Sequence, residues 1–198
     1  MNEPGVKVDS EAVIADTQRW LERAVIGLNL CPFAKSVHVK GQVHYVVSRA
    51  TAPPELREDL RRELAALHAT DPEMRDTTLL MAPDCLQDFL DFNDFLDEGD
   101  AVLAELGLEG ELQIASFHPQ FRFAGVDPED ITNYTNRAPY PTLHLLREAS
   151  IDRAVEAFPE AEAIYEKNMQ TMKRLGHGGW SALALGRQGS TKKRGEPS

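Results

Sequence analysis

Cysteine is scarce in this chain: Cys31 and Cys85 are its only two, and two thiols are too few for the disulfide framework of a small secreted scaffold. No apolar run reaches the about 20 residues of a membrane-spanning helix. The opening Met1-Asn2-Glu3-Pro4-Gly5 lacks the basic-then-apolar pattern of an export signal. A cytoplasmic, non-membrane protein with reduced thiols is the expectation. Basic side chains are missing from a long interval as well. None lies between Arg75 and Arg122, where Asp84, Asp88, Asp91, Asp94, Asp97 and Glu98 accumulate. With a formal net charge of -11, the chain opposes broad contact with a phosphate backbone, so nucleic acid is not an expected partner. The acidic run reads as a solvated face, because its spacing matches no calcium-binding loop. Gly-rich phosphate loops, the Gly-x-Ser-x-Gly elbow and His-Glu-x-x-His are all absent, which removes three common enzyme signatures. The sequence names no cofactor, no oligomeric state and no metal set with tight zinc spacing.

What is present suffices for one globular domain. The 198 residues are 42% hydrophobic, and a chain of that size buries enough surface to fold without a disulfide or metal. A single domain over residues 1–185 is expected, followed by a basic tail, 186–198, with no apolar content to hold it in a fold. Helical spacing of Val13, Thr17, Trp20, Leu21, Ala24 and Leu28 predicts a first helix from about Ser10 to Gly27, capped by Asp9 or Ser10. Pro53-Pro54 opens a second helix striped by Leu56, Leu60, Leu64 and Leu67. Asp84 is the expected cap of a third, which Gly99 divides, and a last helix runs from about Glu160 to Leu175. Short β-branched or apolar runs predict strands at Val43–Val47, Thr77–Met81 and Leu112–Phe117. Leu143, Leu145 and Leu146 read as helical. This alternation implies an α/β fold with a small, mainly parallel sheet of three or four strands packed by helices. An α+β arrangement with a mixed sheet is the alternative. In a parallel sheet, ligands belong at the carboxyl ends of the strands.

One stretch, Phe117 to Glu148, organises the functional reading. From His118 to Pro141 it holds no sustained helical or alternating period, yet it is too aromatic for disorder, and long ordered connections are usually functional. At Leu28-Asn29-Leu30-Cys31-Pro32-Phe33-Ala34, at Phe117-His118-Pro119-Gln120-Phe121-Arg122-Phe123 and at Asn136 to Glu148, the chain resembles the bacterial family catalogued as domain of unknown function 1415. The resemblance covers nearly the whole chain and implies a single bacterial domain of about this length; it carries no assigned activity.

Roles are therefore argued from side-chain chemistry. Cys31, held at a bend by Pro32, is a candidate nucleophile if a cation or imidazole favours its thiolate. His118, directly after a strand, is a candidate acid/base. Arg122 and Arg137 supply planar donors for a carboxylate or phosphate. Asn133 and Asn136 add amides from one helical face, and His144 with Glu148 forms an i, i+4 pair on the helix expected there. The expected function is an enzyme acting on a small anionic metabolite through these residues. The alternatives are a non-catalytic ligand-binding or partner-docking module, and a metal-dependent enzyme drawing on Cys31, His118 and His144.

Overall fold

The computed structural model describes residues 9–157 and 163–187. Most of the expected tail and the expected start of the last helix lie outside the described residues.

Asp9 caps α1 (Ser10–Trp20), accepting a hydrogen bond from the Glu11 amide. Helical structure then continues as a π-helical segment, Leu21–Ile26. Asn29 adopts a left-handed conformation (φ 54°) that ends it and turns the chain back on itself. A short α2 (Ala34–Val39), not expected from the sequence, leads to β1 (Val43–Val47). Next come α3 (Pro53–Ala69) and β2 (Thr77–Met81). Leu56, Leu60, Leu64 and Leu67 of α3 are fully buried; at about 1.5–3 kcal/mol each, that burial outweighs helix propensity in holding α3.

The third long helix, α4 (Phe89–Leu106), starts four residues later than expected because Asp88 is the cap: its carboxylate accepts from the Leu90 amide at 2.8 Å. Gly99 does not divide it. That glycine passes so close to β3 (Leu112–Phe117) that a Cβ there would meet Ile114 at 3.1 Å. The acids at 91, 94 and 97 lie on the exposed side. After a 3-10 helix (Ile131–Asn136) come β4 (Thr142–Arg147), α5 (Glu148–Ala157) and α6 (Ile164–Ala182), which kinks at Gly176 rather than stopping there.

The helix expected around Leu143 to Leu146 is thus a strand. Leu143 and Leu145 face the core formed with α3 and α4 while Leu146 sits half-buried on the other face, so apolar residues on both faces break the alternation that marks a strand. The sheet has the order β1-β2-β4-β3, with β1 parallel to β2 and β4 antiparallel to both β2 and β3. It is the mixed sheet of the alternative reading, not a mainly parallel one. The connection from His118 to Pro141 returns the chain to the end of the sheet where β3 finished, so the next strand must run the other way.

Strand pairing sorts the side chains into two layers. Leu80, Leu143, Leu145 and Leu112 join α3 and α4 in one core; Val43, Tyr45, Leu79, Met81 and Phe117 face α1 and the segments around it in the other.

Candidate functional site

The loop expected to be a site is mostly occupied with holding itself together. His118 is fully buried, stacked near Phe89 and Phe92. Its Nε2 donates to the Leu86 carbonyl at 3.1 Å and its Nδ1 accepts from the Gln120 amide at 3.0 Å, so neither nitrogen is left for a substrate. Burial pushes its pKa below the ordinary histidine range, against the pull of the Leu86 carbonyl. Asn133 accepts from the Phe123 amide at 2.9 Å and donates to the Asp127 carbonyl at 2.7 Å. Asn136 bridges Ser116 and Thr135. Arg137 lies over the Tyr134 ring at 3.9 Å and donates to the carbonyls of Phe121 and Pro128. Arg122 is exposed. It shares a recess of about 330 Å³ with Arg137, Asp88 and Glu129, whose charges cancel.

A different place collects unpaired chemistry. On the sheet face beneath α1 lies a cavity of about 270 Å³. Thr77, Leu79, Gln113, Phe117, His144 and Leu146 make its floor. Trp20, Leu21 and Val25 wall one side, and the last two belong to the π-helical turn, a feature recurrent at functional sites. Cys31, Phe33, Ala34 and Val37 form the next wall, with Ser150, Ile151 and Ala154 of α5 opposite. The left-handed turn at Asn29 and a 2.8 Å bond from the Asn168 amide to the Leu30 carbonyl set the backbone that carries Cys31. β1, β2 and β3 run in one direction, and the cavity reaches the end where they begin, past Asp76 and Val43. The site expected at their carboxyl ends is the one packed shut around His118.

Cys31 and His144 therefore share the cavity, while His118 belongs to the opposite core layer. Glu148 does not line it. Four residues of strand span about 13 Å, so the adjacency expected for His144 and Glu148 on a helix is lost. Among the described residues no group of three or more His, Cys, Asp or Glu side chains is arranged to hold a metal ion. The residues that sequence reasoning missed are Trp20, Thr77, Gln113, Phe117 and Ser150. Strand alternation carried the signal for Thr77, Gln113 and Phe117, once their face was known.

The electrostatics of the cavity are simple. His144 Nε2 lies 2.7 Å from Thr77 Oγ1, and that hydroxyl donates to the Leu145 carbonyl at 2.6 Å. With its proton so engaged, the hydroxyl can only accept from the ring, which places the hydrogen on Nε2 and leaves Nδ1 a lone pair. Nδ1 has no partner among the described residues. Burial lowers the His144 pKa to about 4, so the ring is neutral at neutral pH. Among the described residues, Asp76, whose carboxylate accepts from Ser150 Oγ at 2.6 Å, is the single charged one on the lining, and no Lys or Arg of those residues stands there.

Fold and cavity together describe a class: a mixed four-stranded sheet between helical layers, with an apolar chamber on one face. The chain belongs to the family described as Protein of unknown function (DUF1415), whose model matches residues 12–182. Searches of curated proteins and of solved structures return no match.

Proposed function

We propose that this protein binds a small, uncharged and largely apolar molecule in the chamber, with the ligand donating a hydrogen bond to Nδ1 of His144. The observation that carries the reading is an imidazole nitrogen with a free lone pair on the floor of a largely apolar cavity. Ligand sites have this composition: apolar walls for affinity and a few polar atoms for orientation. Among the described lining residues no cation would receive an anion, so the anionic metabolite expected from the loop arginines is not the ligand favoured here.

A second reading keeps the thiol as a nucleophile, because Cys31 and His144 line the same chamber. It is the weaker of the two. A base with a pKa near 4 is a poor proton acceptor at neutral pH, and among the described residues the lining holds no cation to stabilise a thiolate.

The test is fluorescence titration of the full chain with 1-naphthol, an uncharged bicycle carrying one hydroxyl donor. Saturable binding is expected, weakened tenfold or more by Ala34→Phe or Ala154→Phe, which fill the chamber, with circular dichroism unchanged. No saturable binding to the wild type, or equal binding to correctly folded filled variants, overturns the reading.

A further inference from the structure

We propose that the ligand is a flat, neutral aromatic ring bearing an N–H beside a C=O, the edge of a lactam or cyclic amide; this rests on the chamber being a ligand site. Three observations converge on that chemistry. First, the chamber floor holds a second polar group besides His144. The Gln113 side-chain amide lines the cavity and has no hydrogen-bond partner among the described residues. It is not among the buried unpartnered atoms, so it stays accessible.

Second, the sheet register relates the two groups. Ala115 lies directly opposite His144, and Gln113 directly opposite Leu146. Gln113 and His144 are therefore diagonal neighbours on one face of one antiparallel ladder. Such positions are about 7–8 Å apart at the backbone and within reach of each other through long side chains. The tautomer set by Thr77 makes Nδ1 an acceptor only, whereas the Gln113 amide can donate. A ligand bridging them presents a donor to His144 and an acceptor to Gln113. An alcohol or phenol offers one oxygen, which must donate to His144 and accept from Gln113 at the same point, whereas the two groups stand on different strands. A carboxylate offers acceptors only and adds a charge that the lining does not balance. A lactam edge satisfies both groups while remaining neutral.

Third, the walls are suited to a ring. Trp20 and Phe117 meet edge to face, with centroids 5.0 Å apart, and both line the chamber with Phe33. Flat aromatic faces favour a planar guest through stacked or edge contacts. Trp20 is itself held by a 2.8 Å bond from its Nε1 to the Arg137 carbonyl, so this wall is set before a ligand arrives.

The experiment titrates the wild-type chain with 2-quinolone, 1-methyl-2-quinolone and 1-naphthol. The first has the N–H/C=O edge, the second lacks the N–H, and the third has a donor without the adjacent carbonyl. We expect 2-quinolone to bind about tenfold more tightly than either comparator, the scale of one well-made hydrogen bond in a dry site. Gln113→Met should remove the advantage of 2-quinolone over 1-naphthol. If 1-naphthol binds and 2-quinolone is no tighter than its N-methyl analogue, the lactam assignment is wrong while the chamber stands as a ligand site. If none of the three binds, both fall. The comparison in the wild type needs no variant to fold.

Discussion

Thr77 sets the chemical state of His144. The threonine hydroxyl gives its own proton to the Leu145 carbonyl and receives one from the imidazole across 2.7 Å, so a strand-to-strand contact decides which ring nitrogen faces the chamber. Thr77→Val keeps the shape and removes the acceptor, leaving a buried N–H without a partner. A loss of about 1–3 kcal/mol in unfolding free energy is expected, together with weaker 1-naphthol binding as the other tautomer becomes populated. Urea unfolding and the ring-nitrogen chemical shifts by NMR would read both effects. An unchanged tautomer in Thr77→Val would refute the assigned role.

The pKa of His144 makes a signed statement about acid stability. Its folded-state value is lowered from 6.5 to about 4 by burial, so between those limits the unfolded chain binds a proton that the folded chain refuses. Stability is fully present above pH 6.5 and is lost as pH falls toward 4, by up to about 3 kcal/mol from this group. His118, also lowered by burial, adds a loss of the same sign. Unfolding free energies at pH 7 and pH 4.5 should therefore differ less for His144→Phe than for the wild type. Equal differences in the two proteins would count against a buried neutral His144.

His118 is expected to matter for stability and not for binding. Its Nδ1 accepts from the Gln120 amide and its Nε2 holds the turn at Leu86, a leucine with φ 54°, a conformation that costs about 1–3 kcal/mol and persists only when its surroundings enforce it. His118→Ala should lower stability by about 2–4 kcal/mol, visible as a reduced thermal midpoint. The Kd for 1-naphthol at a temperature where the variant is folded should stay within about twofold, because sites without shared partners act independently. A tenfold change in Kd at full folding would return His118 to the site.

Cys31 offers a direct report of occupancy. It is half-buried on the chamber wall, whereas Cys85 is buried in the other core layer with its thiol pKa raised by burial. Iodoacetamide should modify Cys31 before Cys85, and saturating 1-naphthol should slow the Cys31 reaction several-fold by occupying the space the reagent needs. Mass spectrometry of the labelled peptides separates the two sites. Modification of Cys31 at the same rate with and without a bound ligand would place the ligand elsewhere.

Much of the scaffold could be read from residue order, and the reasons are local. The strands Val43–Val47, Thr77–Met81 and Leu112–Phe117 are short runs bounded by turn residues, and α3 has two prolines at its start and one leucine stripe. β4 could not be read the same way. A central strand with apolar residues on both faces loses the alternation that marks a strand, and Leu143, Leu145 and Leu146 fit a helix equally well. Because β4 is a strand, His144 lies on the floor of a sheet and not on the side of a helix, and the chamber reaches the end where β1, β2 and β3 begin.

The residue string by itself determined the layered character of the protein, the acidic outer face of α4, the strands β1 to β3 and the leucine stripe of α3, because propensity, capping and apolar period act over a few neighbouring residues. Only the tertiary structure decided which polar groups are spent and which are free. Asn133 and Arg137 satisfy carbonyls of the 118–141 loop, and His118 satisfies Leu86. Gln113 and Nδ1 of His144 are left facing a cavity. That distinction depends on hydrogen bonds between residues far apart in the chain, and the order of residues along it does not encode which donors and acceptors the fold will bring together.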